Sequence, residues 1–238
     1  MAVETPMPKA NGLKTVVDTI IAPQAAFASI RTAPTWGWAL VVSIILFAIG
    51  SYLISPITFH VISTHPETTF GPQWNTYTPD QQQRMLSFTE KITSFNWLFV
   101  IVAVPFFSFI GAVVMLIFNA LGRGEGTLGK YWAAACNISV AGGLGAVANA
   151  IIALARGADS FTTVASLQAA IPNLGWAVPG AGTKLAAALG AITPFTLWTT
   201  GLTIAAMLII GRVPRLQAWL CGSLSIAIAV ILAAAFVK

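Results

Sequence analysis

His60 and His65, with Glu67 just beyond them, are the nearest thing in this sequence to a metal-ligand cluster. Neither a cysteine nor a helix-phased fourth ligand accompanies them, so no metal site is expected there. Cys136 and Cys221 would form a redox pair if they met; they serve equally as small apolar side chains of a packed interior, and that is the reading adopted. No catalytic residue and no cofactor is expected. The remaining polar groups in apolar surroundings are mostly neutral: Asn119, Asn137 and Asn149, and the threonines at 193, 196, 200 and 203. The spacing of Thr193, Thr196, Thr200 and Thr203 places four hydroxyls on one helix face. Such groups either line a polar pocket for a headgroup or solute or bond between helices and fix their packing. Asn119 and Asn137 are candidates to meet across a short loop. Around them, Ser139 with Gly143, Ala141 with Gly145 and Gly142 with Ala146 are overlapping pairs of small residues four apart. Gly142, Gly143 and Gly145 should therefore let another helix approach closely, in the same chain or in a second copy.

The elements that carry these residues follow from where charge is absent. Of 238 residues, 57% are hydrophobic and 8% charged, with mean hydropathy +0.82. A soluble domain carries about three times that charge. Five stretches lack Asp, Glu, Lys and Arg and are long enough to cross a bilayer: about 36–62, 95–121, 131–155, 194–211 and 216–237. The expected fold is all-α, a polytopic membrane bundle of five transmembrane helices over residues 35–238. Trp36, Trp38, Trp132 and Trp219 near inner ends and Trp97 near an outer end suit an aromatic belt. No apolar core of a cleavable signal precedes residue 36, so the first span is expected to act as its own insertion signal.

Orientation rests on a narrow Lys and Arg count. With the N-terminus inside, the inner segments carry Lys9, Lys14, Arg31, Arg123, Lys130, Arg212 and Arg215; the outer ones carry Arg84, Lys91, Arg156, Lys184 and Lys238. The C-terminus is then outside. The sequence pI of about 9.6 fits inner-face cations attracted to anionic headgroups, and nothing asks for nucleic acid.

Residues 1–10 read as a disordered tail. Residues 11–34 read as interfacial amphipathic helices, because Leu13, Val16, Val17, Ile20 and Ile21 share one helix face and Pro23 can start a second short helix that Pro34 ends. The segment is an anchor in the interface or a helix for a protein partner. The outer connection from His65 to Ser94 carries turn signals, then a helix capped by Thr78 or Asp80. The second outer connection, Arg156 to Thr193, is apolar enough to fold back onto the outer face. Short helices are expected in it, from Asp159 or Ser160 through Ala170 and from Thr183 through Ala191. Inner connections are short, GRGEGTLGK at 122–130 and RVPR at 212–215, which leaves no room there for a soluble catalytic domain.

Three stretches resemble the bacterial branch of the YIP (Ypt/Rab-interacting protein domain) family: APQAAFASIRTAPTWGW, with Pro23, Phe27, Ile30 and Pro34; LGRGEGTLGKYWAAAC; and ITPFTLWTTGLTIAAMLIIGRVPRLQAWL, with Phe195, Trp198, Gly201 and a basic turn before Ala218. They cover roughly residues 13–237. The resemblance implies a five-span bundle with a cytosolic N-terminus, here in a bacterial cytoplasmic (inner) membrane. Eukaryotic members act with small GTPases in Golgi and endoplasmic reticulum traffic and carry a Gly-Pro-aromatic motif before the first span. In this chain the nearest likeness, FGPQW at Phe70–Trp74, comes after that span, so GTPase binding is not carried over. The expected function is a non-catalytic membrane scaffold or adaptor whose partners are the lipid bilayer, proteins met through the N-terminal helix, and further copies of itself. The alternative is a small-molecule, ion or lipid channel or transporter, for which the threonine face and the long second outer loop speak.

Overall fold

The structure, a computed structural model, describes residues 11–178 and 183–236, so the tail expected over residues 1–10 and the last residue of the final span, Val237, lie outside the described residues. Within them the regular structure is helical, and no strand occurs among the described residues.

Asn11 starts α1 (Gly12–Ile21) by accepting the Leu13 and Lys14 amides at 3.1 and 3.2 Å, the bonds that a helix start leaves open. Pro23 is the first residue of α2 (Pro23–Thr32), where its missing N–H costs nothing. The long helices are α3 (Gly37–Thr64), α5 (Pro79–Leu121) and α6 (Leu128–Arg156), with the single-turn α4 (Pro66–Phe70) between the first two. Two short helices follow, α7 (Val164–Gln168) and α8 (Thr183–Gly190). α9 (Pro194–Ala206) winds into a π turn over Met207–Gly211, and α10 (Arg215–Phe236) closes the chain.

Among the described residues, four helices are long and apolar enough to cross a membrane: α3, α5, α6, and α9 with its π turn. In α10 the apolar stretch Arg215–Ile231 is shorter. The helix expected in the first outer connection and the span expected from residue 95 are one continuous helix of 43 residues. Thr78 and Gln81 form a reciprocal capping box at its start, and only Pro105 interrupts its amide ladder, as membrane helices tolerate. In the second outer loop the helix starts later than expected, because Thr163 rather than Asp159 or Ser160 caps α7. The side chain of Thr183, the expected cap of α8, is outside the described residues.

α6 is the centre of the bundle and packs against α3, α5 and α9. Its small residues Ala133, Ala134, Ala135, Ala141 and Gly143 are buried on several sides of the helix, so neighbouring backbones come close. A Cβ on Gly143 would lie 2.8 Å from Leu46 of α3, and one on Gly145 would lie 2.9 Å from Phe195 of α9. Gly142 faces Phe47 at 3.2 Å, and from α3 a Cβ on Gly50 would meet the Ala146 backbone at 2.9 Å. All these close approaches lie within one chain.

Candidate functional site

The N-terminal helices are built into one end of the bundle, the end that carries the 122–130 and 212–215 connections. Phe27 and Ile30 of α2 are fully buried in the main core with Met207, Ile210 and Ala134. On α1, Thr15, Val16 and Thr19 are buried, whereas Leu13, Val17 and Ile21 are 50%, 50% and 73% exposed. The apolar face expected from the sequence is thus divided. Around the helix, a protein-facing sector (Thr15, Val16, Thr19) is followed by an outward apolar sector (Leu13, Val17, Ile21) and then by Lys14 and Asp18, paired at 2.5 Å.

Asn137 of α6 ties this arrangement together. Its Nδ2 donates to the Thr35 carbonyl at 3.0 Å and to the Ala133 carbonyl at 2.8 Å, and its Oδ1 accepts from the Thr19 hydroxyl at 3.5 Å. Thr35 in turn donates to Thr15 at 3.2 Å, and Ser43 donates to the Cys136 carbonyl at 3.2 Å. A fully buried amide with its donors and acceptor used this way fixes three segments at once.

Asn119 does the same for the two loops at 122–130 and 212–215. Its Oδ1 accepts from the Tyr131 hydroxyl at 2.8 Å and the Gly126 amide at 3.0 Å, and its Nδ2 donates to the carbonyls of Gly124 and Gly126. The Glu125 amide crosses to the Gly211 carbonyl at 2.7 Å, and Arg212 reaches the Glu125 carboxylate at 3.4 Å. Each loop is entered through a Gly-Arg pair, and both Arg123 and Arg212 adopt left-handed backbone with φ of 51°. The packing leaves no space for a side chain at Gly211, where a Cβ would lie 2.1 Å from the Tyr131 oxygen. Asn119 and Asn137 share no hydrogen bond with one another, contrary to the juxtaposition expected from the sequence.

At the other end of the bundle Asn149 donates to the Leu167 carbonyl and accepts from the Ile171 amide, both at 3.2 Å. The loop it holds buries Phe161, Leu167 and Ala170 against Ile57 and Val61 of α3. His60 bonds Asp159 at 2.8 Å, and Arg156 lies 4.6 Å over the Phe161 ring. No group of three His, Cys, Asp or Glu residues that could hold a metal occurs among the described residues. Cys136 and Cys221 are both free and buried.

Most of the threonine face is used by its own helix. Thr193 and Thr196 form the capping box of α9, Thr196 also donates to Ala191 at 3.0 Å, and Thr203 donates to the Thr199 carbonyl at 2.9 Å. Thr200 is buried, and its hydroxyl has no partner within the described residues.

Sequence reasoning missed Tyr131, Thr19 and Thr35. A tyrosine inside an apolar run needs a partner for its hydroxyl, and the repeated Gly-Arg pair at 122–123 and 211–212 was a signal for it. Thr19 and Thr35 lie on either side of α2, and nothing in their local spacing pointed to a shared partner.

A family model described as the Yip1 domain matches residues 17–237. No curated protein matches the chain, and no solved structure does.

Proposed function

Because the chain belongs to the Yip1 domain family, we propose that it is a non-catalytic membrane scaffold or adaptor that organises the inner surface of the membrane or recruits partners there. The apolar helices fit an integral membrane protein. In this reading there are five crossings, α10 being the fifth, with the N-terminus inside and the C-terminus outside a bacterial inner membrane. The observation that carries the role is the three-sector α1. One side is held by the bundle, an apolar side of Leu13, Val17 and Ile21 is presented outward, and the Lys14–Asp18 pair stands beside it. A helix lying in the headgroup region needs those three surroundings. The buried Asn137 and Phe27 hold it in one orientation, so it is a rigid platform and not a tethered tail.

The channel reading has one favourable observation, the unpartnered Thr200 hydroxyl. Against it, the other threonines of that face spend their hydroxyls on the capping and backbone of α9 and on the Ala191 carbonyl just before it.

The test uses substitution, since removing α2 would take Phe27 and Ile30 out of the core. Leu13, Val17 and Ile21 are replaced together by Ser, and proximity labelling from the N-terminus is compared with the wild type. The scaffold reading expects the variant to stay in the membrane fraction while a defined set of labelled neighbours is lost. An unchanged set would overturn it. Purified protein in liposomes should pass ions and small solutes no faster than empty vesicles do, and flux that falls on Thr200→Val would establish the channel instead.

A further inference from the structure

α5 carries two apolar seams on opposite sides, and the chain covers one of them. The covered seam includes Val100, Val104, Ser108, Ala112, Met115 and Asn119. The other includes Phe88, Ile92, Phe95, Phe99, Val102, Phe106 and Phe109, which are 46–71% exposed, with Ile92 bordering the groove between α3 and α5 and Phe109 edge-on to Trp132 at 6.2 Å. Its residues alternate four and three apart over three turns of the seven-residue pattern, the spacing at which one helix packs along another.

Lipid accounts for the exposure of the part within the bilayer but not for the rest. At about 1.5 Å per residue, 43 residues extend about 64 Å, and the hydrocarbon core is only about 30 Å thick. Arg84, Glu90 and Lys91 are exposed on the N-terminal part, which places it in water. There the surface is polar apart from this seam: Gln81, Gln83, Ser87, Glu90, Lys91 and Ser94 surround exposed Phe88 and Ile92.

We propose that this seam is a docking surface for a second copy of the chain, α5 against α5, in a parallel pair about a twofold axis along the membrane normal. Two copies inserted in the same orientation meet in parallel, so each seam residue faces its own counterpart. With Phe88 and Phe95 at the positions nearest the axis, Arg84 and Lys91 flank the seam and face the partner's Thr89 and Asn96, so no like charges oppose one another. The seven exposed side chains offer roughly 100 Å² each, hence about 700 Å² per copy against the 800 Å² or so that each partner gives in a stable interface; Phe88 and Ile92 supply about 200 Å² of this in water, and the other five exchange lipid contacts for protein contacts. The aqueous part gives the seam a reason to pair that lipid cannot supply, and the membrane part continues the same phase.

Disulfide trapping in native membranes tests this, because a bridge forms only between Cα atoms within about 7 Å. The wild type, whose two cysteines are buried, is the control. Phe88→Cys and Phe95→Cys should yield an oxidised species of twice the 25.0 kDa chain mass, at least about tenfold more than Ser87→Cys or Glu90→Cys, which point away from the axis. Phe88→Glu, outside the bilayer, should remain inserted and run as a monomer in mild detergent where the wild type runs as a dimer. Equal trapping at all four positions, no trapping at either seam position, a cross-linked species of another mass, or a Phe88→Glu dimer would each overturn the proposal.

Discussion

Three buried or half-buried asparagines each reach off their helix to hold a segment outside the long helices: Asn137 the N-terminal helices, Asn119 the loops at 122–130 and 212–215, and Asn149 the loop after α6. An unsatisfied buried amide costs about 1–3 kcal/mol, so their replacement has graded effects. Asn119→Leu leaves both the Tyr131 hydroxyl and the loop amide of Gly126 without an acceptor and should cost about 2–3 kcal/mol, seen as a lower Tm in detergent. Tyr131→Phe removes one of the bonds that Asn119 accepts and should cost about 1 kcal/mol. Equal losses would mean that the loop does not depend on the asparagine. Gly211→Ala should destabilise strongly through its clash with the Tyr131 oxygen. Combining it with Tyr131→Phe should recover part of the loss, a coupling that a double-mutant cycle measures.

Elements differ in how far their sequence patterns reveal their surroundings. α2 shows Phe27 and Ile30 as a modest apolar pair, yet both are fully buried. Phe27→Ala should therefore cost about 3–5 kcal/mol, and Leu13→Ala, on the outward side of α1, less than about 0.5 kcal/mol; thermal melts of the two variants check the contrast. At the start of α5, Thr78→Ala removes the capping box and should cost about 1 kcal/mol. Faster hydrogen exchange at residues 79–84, with no change at 100–115, is the expected signature. The same helix shows why its length was misjudged from the sequence: charge marks where hydrocarbon begins, but a helix continues through that boundary wherever no breaker stops it. The glycines of α6 were legible as contact points because closely approaching backbones tolerate only small residues. Their partners, Leu46, Phe47 and Phe195, were not.

At the scale of the whole molecule, the five-crossing reading expects the two termini on opposite sides of the membrane. A phosphatase reporter, active only outside, should be active after Lys238 and silent at Gly126; the reverse would invert the arrangement. Charge depletion and apolar length by themselves determined that the chain is helical and suited to a bilayer, and roughly where its long helices lie, because the cost of burying charge in hydrocarbon acts locally and over continuous stretches. Motif likeness by itself also identified the family that the match over residues 17–237 bears out. Only the tertiary structure decided what each asparagine holds, that the apolar face of α1 is divided between protein and surroundings, and that α5 has a second seam left largely exposed. Those outcomes depend on which of several equally apolar surfaces meet. In a chain where hydrophobicity is nearly uniform, shape and a few hydrogen bonds settle that choice, and the pattern along the sequence does not record it.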